Sequence, residues 1–234
     1  MKVLAFDSTA TAASVALIED DKVIGEFFIN TKITHSQTLI PMAESLLSCV
    51  QMNINEVDIF AVNAGPGSFT GVRIGVAAVQ GMAMALNKPC VSVSTLDSMA
   101  YNLKSQNCVA VCVMDARCEQ VYNANYDIEN NVIKRLCDDR ALKIDELEQE
   151  LKSVSKEIVF VGDGANLCYN KLKDKMPSVK LAEESKRYQN AVSTAFIAQE
   201  LYKEGKFLSA DDLMPYYLRL PQAERELKKR KENK

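Results

Sequence analysis

The polar and apolar positions of the chain fall into short runs typical of strands and longer stretches with helical spacing. Lys2–Asp7 is mostly apolar and ends in an acid, and residues 14–18 and 23–29 are apolar runs on either side of a polar turn. Short apolar runs bounded by turn residues predict strands, and two of them around a short polar turn predict a hairpin. The chain therefore opens with three consecutive strands.

Helical spacing follows this hairpin twice. Residues 39–50 place apolar side chains on one face of a helix, with Pro41 expected inside its first turn. A strand at 59–62 leads through a glycine-rich turn into a second helix, whose apolar positions recur over 72–86. A strand at 90–93 and a short helix after it complete the order β-β-β-α-β-α-β-α.

The second half of the chain repeats this opening. Residues 108–114 form another apolar run that ends in an acid, Asp115. Strands are then expected at 119–127, 131–136 and 158–161, and helices at 143–151, from about 166 and at 192–204. We therefore predict a first lobe at residues 1–104, a second lobe at 105–222 and a charged tail at 223–234. The tail has little apolar surface to bury, which is typical of a solvated end.

The least ordinary run is the glycine-rich turn before the second helix. Gly65 and Gly67 permit backbone angles that a Cβ would forbid, and Pro66 stiffens the link between them. Such a turn fits an anion site, or simply a tight strand-to-helix connection. The run lacks the Gly-Lys-Ser/Thr ending of a P-loop and the spacing of a dinucleotide-binding motif. Both interpretations stay open.

Small residues recur along the helix after this turn. Gly71, Gly75 and Ala78 follow one another at helical spacing, and Met82 continues the row. A stripe of small residues lets another element approach closely, and its glycines lower the helix propensity. The neighbour is either another part of this chain or a partner chain, and the spacing does not distinguish between them.

Composition narrows the class of protein. The chain has 234 residues, of which 47% are hydrophobic and 25% charged, as expected for a globular protein. Its net charge of −3 argues against a general nucleic-acid binder. The N-terminus reaches a charged residue too early for a signal peptide, and we expect no membrane span.

The reactive side chains point to few kinds of site. The seven cysteines include no Cys-x-x-Cys pair and mostly lie in apolar runs, which is typical of buried thiols in a reducing cytoplasm. His35 is the only histidine, and this excludes most metal sites and most histidine-dependent triads. We therefore expect no metal.

Five motifs together resemble the TsaB (YeaZ) family, within the two-lobed actin/hexokinase/Hsp70-like (ASKHA) class of α/β folds with a mixed sheet in each lobe. The most specific is the glycine-rich run from Gly65 to Gly75. The others are Leu4-Ala5-Phe6-Asp7-Ser8-Thr9, Ser94-Thr95-Leu96-Asp97, Met114-Asp115-Ala116-Arg117 and Tyr217-Leu218-Arg219. These motifs span nearly the whole chain.

The resemblance implies a non-catalytic subunit that binds TsaD. Together with TsaE, these proteins form N6-threonylcarbamoyladenosine (t6A) next to the anticodon of tRNA, which this chain would contact only indirectly. The resemblance also implies a homodimer when TsaD is absent. We expect the partner-binding face on the first two helices, at Leu39, Met42, Leu46, Gly71, Val72, Gly75, Ala78 and Met82.

Catalytic parts of related proteins are replaced in this chain. TsaD-type relatives carry a His-x-x-x-His metal pair where this sequence has Thr95 and Met99, and neither side chain substitutes for an imidazole. The turns after Asp7 and Asp115 lack the glycines that close on a phosphate in actin-like ATPases. A vestigial nucleotide site is therefore expected at Asp7, Ser8, Thr9, Gly162 and Gly164.

No cofactor is expected for the isolated chain, and ATP or ADP at the interface of the complex is left open. The alternative function is an actin-like ATPase or a small-molecule kinase that acts alone. Asp7-dependent ATP turnover by the isolated protein would favour that alternative.

Overall fold

A computed structural model describes residues 1–219, which form two mixed sheets. The first half of the chain contains β1 (Lys2–Asp7), β2 (Ala12–Glu19), β3 (Lys22–Asn30), α1 (His35–Cys49), a short 3₁₀ turn (Ile54–Glu56), β4 (Ile59–Gly65), α2 (Phe69–Leu86), β5 (Cys90–Ser94) and α3 (Thr95–Tyr101). The second half contains β6 (Cys108–Asp115), β7 (Gln120–Glu129), β8 (Val132–Arg135), β9 (Arg140–Lys143), α4 (Ile144–Leu151), β10 (Ile158–Val161), α5 (Ala165–Leu172), β11 (Val179–Leu181), α6 (Glu184–Arg187) and α7 (Ala191–Lys203).

The two sheets share one topology. The first has the strand order β3-β2-β1-β4-β5, and the second has β11-β10-β6-β7-β8, with β9 also paired to β7. In each sheet the opening strand pairs antiparallel with the next strand, as β1 does with β2, and parallel with a later one, as β1 does with β4. This repetition confirms the predicted two-lobed actin/hexokinase-like fold with a mixed sheet in each lobe.

Helices cover both faces of both sheets. On the outer side of the first sheet lie α1 and α2, and on the outer side of the second lie α4 and α5. On the inner side of the first sheet lies α7, whereas α3 packs on the second sheet. The lobes therefore exchange one helix each. These two helices meet between the sheets, where Ser98 Oγ and Thr194 Oγ1 are 3.0 Å apart.

The exchange changes the predicted division of the chain. The prediction puts residues 191–203 in the second lobe. In the structure, however, α7 buries Ala191, Ala195 and Ala198 against the first sheet. The chain after it also runs along the first lobe before its end reaches the second, where Arg219 Nη1 donates to the carbonyl of Ala116 at 3.3 Å. Residues 206–219, which we call the C-terminal strap, pair with the edge of β5 through Leu208 and bury Leu213 beside α2. The predicted tail at 223–234 lies outside the described residues.

Local differences from prediction have simple causes. The elements β9, β11 and α6 were not predicted, because each has only three or four residues, charged ones among them, and no apolar run like that of β10. Pro41 lies in the second turn of α1 and not in the first, because the helix begins at His35. By length and composition α2 does meet the requirements of a membrane-spanning helix, with 18 residues and a mean hydropathy of 1.4. One of its faces nevertheless packs on the first sheet.

Candidate functional site

A cleft of about 620 Å³ lies between the lobes, at the ends of β1 and β6. It is lined by both hairpin turns, by the glycine-rich loop before α2, by the turn after β10 and by the end of the C-terminal strap. Its lining residues include Thr9, Gly67, Phe69, Asp115, Arg117, Tyr122, Asp163, Tyr188, Tyr216, Tyr217 and Arg219. The cleft therefore has aromatic walls with both acidic and basic groups.

Asp7 lies fully buried at the end of β1, two residues before Thr9, which lines the cleft. Its carboxylate accepts bonds from the backbone N–H of Thr9 at 3.2 Å, from Thr9 Oγ1 at 3.1 Å and from Asn63 Nδ2. Burial raises the pKa of Asp7 to about 6, although these hydrogen bonds oppose the shift. The remaining amide oxygen of Asn63 has no hydrogen-bond partner.

We call residues 7–11, at the end of β1, the first turn, and residues 115–119, at the end of β6, the second turn. The first turn is covered by the glycine-rich loop and the start of α2. Ser8 Oγ donates to the carbonyl of Gly71 at 2.8 Å, and the N–H of Ser68 donates to the carbonyl of Thr9 at 2.7 Å. An ideal Cβ on Gly71 would lie 2.1 Å from the carbonyl oxygen of Ser8, and one on Gly67 would lie 2.5 Å from that of Thr9. These glycines are therefore required by the close approach of the first turn.

The glycine turn after β10 is filled in a similar way. The N–H of Gly162 donates to the carbonyl of Arg187 at 2.6 Å, and that of Gly164 donates to the carbonyl of Val113 at 3.1 Å. An ideal Cβ on Gly162 would lie 2.1 Å from the oxygen of Val113. Because both amides already have acceptors inside the protein, neither is free to hold a phosphate.

Asp163 sits between these two glycines, and its Oδ1 is buried without a hydrogen-bond partner. Burial, and then the negative charges of Asp115 and Asp7, raise the pKa of Asp163 to about 7. The predicted nucleotide site included the glycines on either side of this residue but not Asp163 itself. Its position in a Gly-Asp-Gly turn after a buried strand was the signal that could have found it.

Of the predicted nucleotide residues, Thr9 lines the cleft, whereas Asp7, Ser8, Gly162 and Gly164 are not among its lining residues. Asp7, Ser8 and Thr9 belong to the end of β1 and the turn after it, and Gly162 and Gly164 belong to the turn after β10. The side chain of Met99 lies against Gly162. Thr95 is buried, and its hydroxyl has no hydrogen-bond partner in the described structure. Within residues 1–219 no three His, Cys, Asp or Glu side chains are grouped so that they could hold a metal ion.

His35 ties α1 to the first turn. Its Nε2 lies 2.6 Å from the carbonyl oxygen of Ala10, so this nitrogen carries the proton and donates it. The other ring nitrogen, Nδ1, is buried without a partner. No acid or nucleophile bonds to the ring in the described part of the chain, and the arrangement explains how α1 is held in place.

The predicted partner-binding face needs correction. Leu39, Met42, Leu46, Val72, Gly71 and Gly75 are buried inside the first lobe, and only Ala78 and Met82 of the predicted set are half-exposed. An ideal Cβ on Gly75 would lie 2.6 Å from Ser8 Oγ. The element that approaches Gly71 and Gly75 closely is therefore the turn after β1 of the same chain, and not another polypeptide.

A different row of small residues faces solvent on α2. Ala77, Gly81 and Ala85 are all exposed at four-residue intervals, and we call them the small-residue stripe. Met84, 61% exposed, lies beside them. An ideal Cβ on Gly81 would meet no atom of the chain within 4 Å. A glycine inside a helix costs about 1 kcal/mol relative to alanine, and no contact within the described structure accounts for this one.

The end of the C-terminal strap forms a cluster that sequence reasoning did not assemble. Tyr217 stacks on Phe69, with the ring centroids 4.7 Å apart, and the guanidinium of Arg73 lies 3.8 Å from the centre of the Phe69 ring. Arg73 Nε donates to Tyr217 OH at 2.8 Å. Residues 73 and 217 are far apart in sequence, so their pairing depends on the path of the strap.

Comparisons with known proteins agree with this structure. The TsaD family model, described as tRNA N6-adenosine threonylcarbamoyltransferase, matches residues 22–227. The tRNA threonylcarbamoyladenosine biosynthesis protein TsaB of Escherichia coli K12 is 32% identical over 222 residues, 94% of this chain and 95% of that protein. TsaB of Bacillus subtilis 168 is 29% identical over 225 residues, 96% of each chain.

A solved structure leads to the same family. YeaZ from Pseudomonas aeruginosa superposes with a TM-score of 0.78 at 27% identity, and the match covers 93% of this chain and 99% of that one. The sequence matches and the structural match thus cover almost the full length of all three relatives. The chain belongs to the TsaB (YeaZ) family.

Proposed function

We propose that this protein is a non-catalytic subunit of tRNA threonylcarbamoyladenosine biosynthesis that binds TsaD through the outer surface of α1 and α2. Its relatives are named for that pathway. TsaE and tRNA would be reached through TsaD, in the cytoplasm, and the same surface would form a homodimer when TsaD is absent. ATP or ADP would enter, if at all, at the interface of the complex.

The filled turns support a non-catalytic role. A phosphate site needs free backbone N–H groups, but those of Gly162, Gly164 and Ser68 already donate to carbonyls of the same chain. Thr95 and Met99 stand where TsaD-type relatives would carry metal ligands, and neither side chain suits that task. The turns beside the cleft thus offer no free N–H group from Gly162, Gly164 or Ser68 to a phosphate.

The observation that carries the proposal is the exposed small-residue stripe of α2. Ala77, Gly81 and Ala85 permit the close approach of another helix, and exposed Met84 beside them offers apolar area. Ile40 adds a further exposed apolar side chain on α1, beside α2. Two helices docked on this surface would bury a standard interface of about 1,600 Å² in total.

A single substitution tests this surface. Gly81→Arg places a long charged side chain on the small-residue stripe, and we expect it to weaken TsaD binding at least about 100-fold, as for a hot-spot position. Gly75→Arg is unsuitable for this purpose, because it would collide with Ser8 and disturb the fold. Affinity is measured by titration of TsaD with the purified protein.

The matched control is Asn170→Arg, which adds the same charge to an exposed position on α5 in the second lobe. We expect both variants to unfold within a few degrees of the wild type. We also expect the control to bind TsaD normally. Wild-type affinity in Gly81→Arg would contradict the proposed surface.

The alternative is an ATPase or kinase that acts alone. The observation in its favour is a pair of acids, fully buried Asp7 and half-buried Asp163, whose pKa values of about 6 and about 7 suit a proton-transferring group. Its test is ATP turnover by the isolated chain. Hydrolysis that Asp7→Asn abolishes would replace the scaffold proposal.

A further inference from the structure

Arg73 is exposed and yet held firmly in place. It projects from the first turns of α2, with its guanidinium 3.8 Å from the ring centre of Phe69 and 5.8 Å from that of Tyr217. Its Nε donates to Tyr217 OH at 2.8 Å. Stacking and this bond fix the plane of the group, so little side-chain entropy remains to be lost when it binds a ligand.

The C-terminal strap fixes Tyr217 in turn. The N–H of Tyr216 donates to the carbonyl of Ala64 at 2.7 Å, and Gln80 Nε2 donates to the carbonyl of Leu213 at 2.8 Å. Gln80 belongs to α2, the same helix as Arg73. The strap that carries Tyr217 is therefore bonded to the helix that carries Arg73.

The charge of Arg73 is not balanced within the described chain. Arg117, Arg135, Arg140 and Arg187 each lie within 4 Å of a carboxylate oxygen, whereas Arg73 pairs with no carboxylate among residues 1–219. Only Nε makes a hydrogen bond, so the four N–H donors at the tip of the guanidinium have no acceptor among residues 1–219. This fork matches the two oxygens of a carboxylate.

We propose that Arg73 binds a carboxylate side chain of TsaD at the end of the docking surface and that Tyr217 positions it. The inference rests on the proposed function. Arg73 and Met84 are eleven residues apart, which is about three helical turns, so they point in nearly the same direction about 16 Å apart. That distance lies well inside a standard interface.

The chemistry predicts a specific order of effects. Arg73→Gln removes the charge and should weaken TsaD binding about 30-fold, as for a central arginine of an interface. Arg73→Lys keeps the charge but loses the planar fork, and we expect about a 10-fold loss. Tyr217→Phe keeps the stacked ring and removes only the hydroxyl acceptor for Nε, for which we expect about a 3-fold loss.

Salt dependence gives a readout that a merely structural role would not move. Wild-type affinity should fall as NaCl rises from 50 to 500 mM, and this dependence should be smaller in Arg73→Gln. The control is Arg140→Gln, which changes the net charge equally but breaks a pair with Glu150 in the second lobe. We expect its affinity and salt dependence to stay as in the wild type.

The outcomes separate this inference from the function it rests on. Loss of binding in Gly81→Arg with wild-type affinity in Arg73→Gln would overturn the inference alone. Equal weakening by Arg73→Gln and Arg140→Gln would also overturn it, since net charge would then be the cause. Wild-type binding in Gly81→Arg would overturn the docking surface itself. Thermal unfolding of each variant checks the fold, and Tyr217→Phe remains a test should Arg73→Gln prove unstable.

Discussion

The two lobes open with the same pattern, an apolar strand that ends in aspartate and turns into a hairpin, but the two turns differ in burial, in side-chain hydrogen bonding and in backbone conformation. The first turn buries Asp7 completely and satisfies it with Thr9 and Asn63. The second leaves Asp115 half-exposed, bonded to the N–H of Arg117 at 2.7 Å. Three consecutive residues after it, Arg117 to Glu119, have positive φ angles of 67°, 54° and 55°.

What surrounds each turn explains the difference. The glycine-rich loop and the start of α2 lie directly on the first turn, where an ideal Cβ on Gly71 would reach 2.1 Å from Ser8 O. In the second lobe the glycine turn after β10 approaches the end of β6 and not the turn that follows it: an ideal Cβ on Gly162 would reach 2.1 Å from Val113 O, and the nearest atom to one on Gly164 is Met114 C, 3.0 Å away. A strand that ends in aspartate therefore determines where the turn lies. The segments packed against the turn determine whether its aspartate is buried.

The largest predicted effect tests how tightly the first turn is covered. Gly71→Ala places a methyl group against a backbone oxygen that cannot rotate away, and we expect the free energy of unfolding to fall by about 3 kcal/mol. Gly164→Ala should cost about 1 kcal/mol, because its neighbours need to shift only slightly. Both changes in the free energy of unfolding are to be measured by equilibrium unfolding in denaturant.

A third substitution controls for helix propensity in that experiment. Gly81→Ala, in the same helix as Gly71 but exposed, should raise the free energy of unfolding by about 0.5–1 kcal/mol. Equal costs for Gly71→Ala and Gly164→Ala would show that the two glycines are equally close to their neighbours, contrary to the structure.

The second prediction concerns the buried acid of the first turn. Because the pKa of Asp7 is raised to about 6 from 3.8, the unfolded chain loses this proton before the folded chain does. Its contribution to stability is therefore largest below about pH 4 and is lost as the pH rises to about 6. The shift of about two pKa units corresponds to about 3 kcal/mol.

Asp7→Asn removes this pH-dependent cost. The amide oxygen can still accept from Thr9, and the unpartnered Oδ1 of Asn63 can turn to accept from the new amide. We expect the variant to exceed the wild type by about 1–2 kcal/mol at pH 7 and to lose the advantage at pH 4. In the second turn, Asp115→Asn should change stability by less than about 1 kcal/mol. An Asp7→Asn profile parallel to the wild type would contradict the buried charge.

The smallest effect tests the backbone of the second turn. Cys118 has φ = 54°, a conformation that glycine adopts at no steric cost. Cys118→Gly should therefore raise the free energy of unfolding by about 0.5–1 kcal/mol. Thr9→Gly in the first turn should lower it instead, because its hydroxyl bonds to Asp7 are lost. Destabilisation by both glycines would show that the second turn gains nothing from a left-handed residue.

The sequence predicted those parts of the fold that depend on local pattern. The opening hairpin, α1, α2 and the repeated strand order followed from apolar spacing and agree with the structure. The position of α7 did not, because apolar spacing alone does not say which sheet a helix packs against. The C-terminal strap was missed for a related reason: Leu208 and Leu213 are isolated apolar residues in a polar stretch, with no period to read.

The candidate site was predictable in its residue types and not in its contacts. Small residues at 71 and 75 correctly indicated that something lies close to α2, yet spacing cannot tell which neighbour it is. The Ser8 turn fills that place. The exposed positions two to ten residues beyond Gly75 could be identified only when burial was known. The raised pKa values of Asp7 and Asp163 likewise depend on neighbours from distant parts of the chain.

The exchange of α3 and α7 between lobes has a consequence for biosynthesis. During translation, Val3, Ala5 and Ile59 leave the ribosome early, but the helix that shields this side of their sheet is encoded at residues 191–203. Domains of most proteins mature in the order in which they emerge. Here the aliphatic inner face of the first sheet stays uncovered until the nascent chain is nearly finished. Chaperones have the longest opportunity to act on this surface during that interval.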